Sequence, residues 1–265
     1  MRRALLAALV AGSAIGPLHA GEIPGAVIVL EMAPGTPGSD PSSAPPRFVL
    51  LKDGQVFVSG TTLVEAGRLE KGDAQAIVKR ASAVRKLPGI GAAVVFGGAP
   101  ERVARLGLFE DDPLEITATG DPANAPAALA PLASLVSELL RFQHPSLKPY
   151  SPTSYAVRAR EAKLTGGCRS WAFSVPIADA VAGPRAVPAL DAVSWPTGAM
   201  PASVCVDDRR YAVTLRPLLP GEHPRRLWHS RRIDGCGRPS CGCGVAPGRP
   251  CDSGETAPRR AAGTG

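Results

Sequence analysis

Aromatic side chains are scarce in this chain of 265 residues: 6 Phe, 3 Tyr and 3 Trp. Asparagine occurs once, at Asn124, and histidine 4 times. No uninterrupted apolar run reaches the ~18 to 20 residues that a membrane-spanning helix needs, so the sequence offers no candidate span. No strict three-residue glycine period occurs, which excludes a collagen-like chain. Gly-x-Ser-x-Gly, Walker, His-Glu-x-x-His and EF-hand patterns are all missing, and with them the strongest linear signatures of several enzyme and metal-binding classes. What is abundant is alanine, glycine (29) and proline (28), in a chain 45% hydrophobic and 20% charged. That balance fits a globular protein.

The two ends differ from the middle. Residues 1–20 place Arg2 and Arg3 before an apolar stretch, a Gly16-Pro17 break and a small residue, Ala20, at a cleavage point, which is the order of parts in a secretory signal peptide. Residues 221–265 are dominated by Gly, Pro, Arg and Cys and carry few large apolar side chains. Such a segment cannot bury enough apolar surface to offset its ordering entropy, and the expectation is a disordered tail. The net charge of +7 resides in these ends, because residues 21–220 are close to neutral. Specific nucleic-acid binding by the folded part is therefore not expected, since phosphate neutralisation needs clustered Lys and Arg on one face. The tail arginines Arg225, Arg226, Arg231 and Arg232 could at most attract polyanions nonspecifically.

Residues 21–220 read as a single α+β domain, with a mainly antiparallel sheet built from hairpins and two covering amphipathic helices. Ala26 to Met32 is branched and apolar, a strand; a Pro-rich loop follows over 33–46. Phe48 to Leu51 and Gln55 to Ser59 flank Lys52-Asp53-Gly54, an Asp-Gly hairpin turn. Ala74, Ile77, Ala81 and Val84 recur at helical spacing, and Leu132, Leu135, Val136, Leu139 and Leu140 form a second stripe after Pro131. Between them, AAVVFGG predicts a strand, and VARLGLFE with LEITATG a second hairpin about Asp111-Asp112-Pro113. Downstream, SYAVRAR and SWAFSV read as short strands, with small-residue helical patches near Ile177–Ala182 and Pro188–Val193. A last hairpin, ASVCV and RYAVTLR, turns at Asp207-Asp208-Arg209.

The run PRFVLLKDGQVFVSG with GRLEKGDAQAIV, and the closing RRYAVTLRPLLPGE, resemble a set of exported bacterial proteins of unknown function. Those carry an early Pro-x-Phe-x-Leu-x-x-Asp-Gly hairpin, here Pro46, Phe48, Asp53 and Gly54, and finish on Arg-Pro-Leu-Leu-Pro and an acid, here Arg216 to Glu222. The resemblance spans about Ala26 to Glu222 and implies no activity. It implies a natural end near Glu222, and reading past a stop or out of frame is then one account of the tail beyond, beside a zinc site or a segment with scrambled disulfides or no structure.

Six cysteines in an exported chain suggest disulfides. Cys168 and Cys205 pair most naturally, as the two in the middle. The rival makes Cys168 a nucleophile in Gly-Gly-Cys-Arg-Ser-Trp with His144 as its base, a cysteine-dependent hydrolase. Cys236, Cys241, Cys243 and Cys251 could hold zinc, but their spacing lacks the paired Cys-x2-Cys knuckles of a strong site. The paired acids Asp111-Asp112 and Asp207-Asp208 sit at turns, where aspartate accepts local backbone hydrogen bonds. Gly89 and Gly91 with Gly97-Gly98 flank a strand and form no dinucleotide fingerprint. Trp171 and Trp195 are either core or the walls of a groove. These features together lead to the expectation of a non-catalytic exported binding or structural module of the cell envelope or exterior, with no cofactor and no identifiable partner.

Overall fold

Strand β1 (Ala26–Ala33) runs through the middle of the larger of two sheets. It is followed by β2 (Phe48–Leu51), β3 (Gln55–Ser59), β4 (Val64–Arg68), helix α1 (Lys71–Arg85), β5 (Ala93–Gly97), β6 (Val103–Leu108), β7 (Leu114–Gly120), helix α2 (Ala130–Leu140) and β8 (Lys148–Pro149). The strand order is β5-β7-β6-β1-β2-β3-β4-β8. The second sheet takes β9 (Ser154–Glu161), β10 (Arg169–Ser170), β11 (Arg185–Pro188), β12 (Gly198–Val206) and β13 (Arg209–Pro217), with the short helices α3 (Ile177–Ala182) and α4 (Ala189–Ala192) between strands. Its order is β10-β12-β13-β9-β11. The structure is a computed structural model that describes residues 23–33, 44–59, 63–98, 102–110, 112–195 and 198–224. All the described residues belong to one compact unit. The leader, the centre of the Pro-rich loop, Asp111 and the tail with Cys236, Cys241, Cys243 and Cys251 lie outside the described residues.

The fold is α+β and mostly antiparallel, as the hairpin pattern predicts, but its strands divide into two sheets rather than one. Two parallel pairs, β5 with β7 and β10 with β12, interrupt the antiparallel scheme. Both parallel strands are sheet edges, reached by longer connections than a hairpin provides. The Asp53-Gly54 turn joins β2 to β3, with Gly54 at φ 83°, a conformation glycine adopts without the steric cost of a Cβ. At the β12–β13 turn Asp207 takes φ 51°, which short polar side chains tolerate. One expected strand is shortened: of SWAFSV only Ser170 joins a ladder, and Trp171 and Phe173 turn inward to pack instead. Strands β4, β8 and β11 have no clear signal in the sequence, because they are short or lack large alternating apolar side chains.

Period two gives the larger sheet two different faces. Ile28, Leu30, Phe48, Leu50, Val56, Val58, Leu106 and Ile116 pack under α1 and α2 in the largest core. Ile77, Ala81 and Val84 meet them from α1, and Leu132, Leu135, Val136 and Leu139 from α2. Arg47 secures the end of α2: its Nε and Nη2 donate to the Leu140 carbonyl at 3.0 and 2.6 Å, and its Nη1 donates to the Ser59 carbonyl. A cation there complements the negative end of the helix dipole. On the opposite face, Ala26, Val49, Phe57 and Val64 form a smaller core with Ile23 and Leu219.

The second sheet has its own core of Val157, Val187, Val204, Val213 and Leu215 with Phe173, Trp195 and Tyr211. Trp171 meets Phe173 edge-on and Phe173 tilts against Trp195, with ring centroids 4.8 and 4.5 Å apart, and the Trp171 indole donates to the Val175 carbonyl at 2.7 Å. Trp195 is therefore core and Trp171 packs against it, rather than both lining a groove. Cys168 and Cys205 form a disulfide that ties the approach to β10 onto β12.

The bridge closes a loop of 37 residues. Replacing both cysteines by serine should lower unfolding stability by about 3 to 4 kcal/mol on loop-closure entropy, read as a shifted denaturant midpoint in nonreducing buffer. An unchanged midpoint would show that closing the segment between Cys168 and Cys205 adds no net stability.

Candidate functional site

On the face of β1 away from the helices, Val29 is followed by Glu31, a carboxylate only 6% exposed. Antiparallel register sets Glu31 directly opposite Arg105 of β6, so their side chains share that face. Arg105 Nη2 in turn reaches Glu115 Oε2 of β7 at 2.5 Å. From the second sheet, Arg216 near the end of β13 pairs with Glu222 at 2.7 Å, with both side chains almost fully buried. The other Glu222 oxygen accepts the Leu219 N–H at 2.9 Å, and the Glu222 N–H donates to the Leu219 carbonyl at 3.0 Å. Residues 217–222 therefore fold back on themselves as a clasp. Tyr150 fastens it to the first sheet: the phenol donates to the Leu218 carbonyl at 3.1 Å, and the ring packs edge-on against Phe57 at 5.4 Å.

Five charged residues thus meet where the two sheets approach each other, and Glu31 is the one least well served. Its Oε2 is buried and has no hydrogen-bond partner. Burial pushes its carboxyl from the ordinary 4.5 up to about 7. Arg105 and Arg216 oppose that rise, while the like charges of Glu222 and Glu115 add to it. Desolvation wins because removing a carboxylate from water costs more than two guanidiniums already engaged elsewhere return. A carboxyl that titrates near neutrality can exchange a proton under ordinary conditions, which is the property acid–base chemistry and proton switches share.

The residues singled out from sequence lie elsewhere. Cys168 is committed to Cys205. His144, in the turn after α2, has Nδ1 at 2.8 Å from Ser146 Oγ and Nε2 at 3.5 Å from Asp73 Oδ2, so both ring nitrogens face partners other than Cys168. Asp112, Asp207 and Asp208 occupy turns, as expected. Gly97 and Gly98 close β5 with φ 91° and 73°, and Gly98 lies against the amide of Asn124. Among the described residues no group of three His, Cys, Asp or Glu side chains could hold a metal ion, and no helix is long and apolar enough to cross a membrane.

A cleft of about 630 Å³ opens between the Asp53-Gly54 turn and α1, with Leu50, Leu69, Ala74 and Val78 along its floor and Lys52, Arg68 and Lys71 among its walls. Arg68 holds Asp53 at 2.8 Å. The Gln55 N–H first, and Arg68 second, keep the Asp53 carboxyl below its usual range, so it is an ionised turn anchor and not a proton donor. The cleft has the dimensions of a small-molecule site but gathers no nucleophile with a base.

Glu31 and Arg105 escaped notice in the sequence because each stands alone within an apolar strand. Arg216 and Glu222 were visible only as part of the closing Arg-Pro-Leu-Leu-Pro motif. One signal was available: acids and bases at inward alternation positions of otherwise branched strands. In comparisons with known proteins, no family model, no curated protein and no solved structure matches the chain.

Glu31 links stability to pH with a definite sign. Its folded pKa lies above the unfolded value, so its contribution is fully present below about 4.5 and declines as pH rises through about 7. Between pH 5 and pH 8 the wild type should lose roughly 2 to 3 kcal/mol through this group, and Glu31→Gln should remove that slope. Urea unfolding across this range checks both.

Proposed function

We propose that the chain is an exported protein that works as a binding or structural module without covalent catalysis. The observation that carries this reading is the Cys168–Cys205 disulfide. Structural disulfides persist in oxidising compartments outside the reducing cytosol, and the bond occupies the one thiol for which a nucleophilic role was conceivable. The leader pattern of residues 1–20 and the resemblance to exported bacterial proteins support the same location. The cleft beside the Asp53-Gly54 turn supports binding over chemistry, since its acid is anchored by Arg68 and its remaining polar groups are cationic or neutral apart from Glu110.

Thiol counting on denatured, nonreduced protein from a secreting host, with mass analysis of the mature N-terminus, tests the proposal. Cys168 and Cys205 should resist alkylation, and the mature chain should begin near Gly21. Labelling of Cys168 by an activity-directed electrophile in the native protein, abolished by His144→Ala, would overturn it in favour of a cysteine-dependent hydrolase.

A further inference from the structure

We propose that Glu31 is a proton-operated lock between the two sheets: when it is protonated the Arg216–Glu222 clasp closes over it, and when it is ionised the clasp is released locally and water reaches the carboxylate. The argument begins with a count of charge. Glu31 faces Arg105 from β6, Glu115 from β7, and Arg216 and Glu222 from β13 and the clasp. With Glu31 neutral, two carboxylates balance two guanidiniums, as Arg105 with Glu115 and Arg216 with Glu222. Ionised Glu31 is a third carboxylate for two cations that are already paired, in a place where its buried Oε2 has no hydrogen-bond donor among the described residues. A buried, uncompensated charge is relieved either by a proton or by solvent.

Solvent can enter only if something moves, and the clasp is the element free to do so. The β9–β13 ladder runs from Tyr211↔Glu161 to Pro217↔Tyr155 and ends there. Beyond it the clasp is held by the Leu218 N–H to the Ser154 carbonyl, the Tyr150 phenol to the Leu218 carbonyl, Leu219 among Ile23, Val49 and Phe57, and Glu222 on Arg216, a guanidinium whose positive charge ionised Glu31 competes for. Gly221, at φ 71°, rests against Pro24 and completes the turn. Lifting residues 218–222 therefore exposes Glu31 without breaking either sheet. Such an opening is local rather than global unfolding, because both ladders stay paired.

Amide hydrogen exchange, corrected for its intrinsic pH dependence, reads the lock directly. Between pH 5 and pH 8 the protection of the Leu218, Leu219 and Glu222 amides should fall by roughly tenfold or more. The ladder amides of Val213 and Leu215 should hold their protection, and in Glu31→Gln the clasp should lose its pH dependence. Equal clasp protection at both pH values in the wild type would overturn the proposal. So would a fall that persists in Glu31→Gln, or one shared by the whole core. If the variant does not fold, carbon NMR of the wild-type Glu31 carboxyl decides: a midpoint in the ordinary glutamate range overturns the lock, and a midpoint near 7 that coincides with the clasp exchange supports it.

Discussion

A guanidinium cannot give up its proton inside a protein, so an arginine that is 2% exposed obliges the surrounding chain to bring it negative charge. Arg216 is that arginine. Its demand explains why the chain, after the last strand, reverses within five residues to present Glu222, and why the Leu219 amide is turned toward the same carboxylate. The reversal carries Leu218 and Leu219 onto the open face of the first sheet. Replacing such an ion pair with apolar residues is often neutral, whereas removing one partner typically costs roughly 3 to 5 kcal/mol, so the arrangement specifies geometry more than it supplies stability.

The first sheet accommodates this demand by dividing the labour of its faces. The helix-covered side is apolar throughout, which is what two amphipathic helices require. The other side grades from Phe57, Val49 and Val29 to Glu31, Arg105 and Glu115. Leu219 and Tyr150 meet its apolar part and Arg216 its charged part, so a single segment matches both. The second sheet contributes its own aromatic core around Phe173 and Trp195.

Local patterns made most of the elements readable. The Asp53-Gly54 turn announced β2 and β3, and the stripes at Ile77 to Val84 and Leu132 to Leu139 announced both helices, because each depends on neighbours within a few residues. The pairing of Cys168 with Cys205 followed from their isolation from the other cysteines. What stayed hidden was whatever depends on distant partners. β4 pairs through Ala66 and Gly67, the latter so close to Ser146 that no Cβ fits, and neither residue advertises a strand. Glu31 lay concealed within AVIVLEM because its meaning comes from Arg105 and Arg216, some 74 and 185 positions away. The division of the strands into two sheets was illegible for the same reason.

The central place of β1 sets the tempo at which this molecule can form. Its register with β6 joins residues 70 to 80 positions apart, Ala33 with Val103 and Ile28 with Leu108. The clasp then returns Leu219 to Ile23 and Gly221 to Pro24, across almost the whole described chain. Contacts of such long sequence separation demand costly loop closure before they repay it, which slows their formation relative to hairpins, and the clasp cannot close before the last strand exists. For a chain that leaves the cell as proposed, that delay is useful: while β13 is still unmade, the polypeptide has no completed sheet junction to resist threading through a narrow export channel.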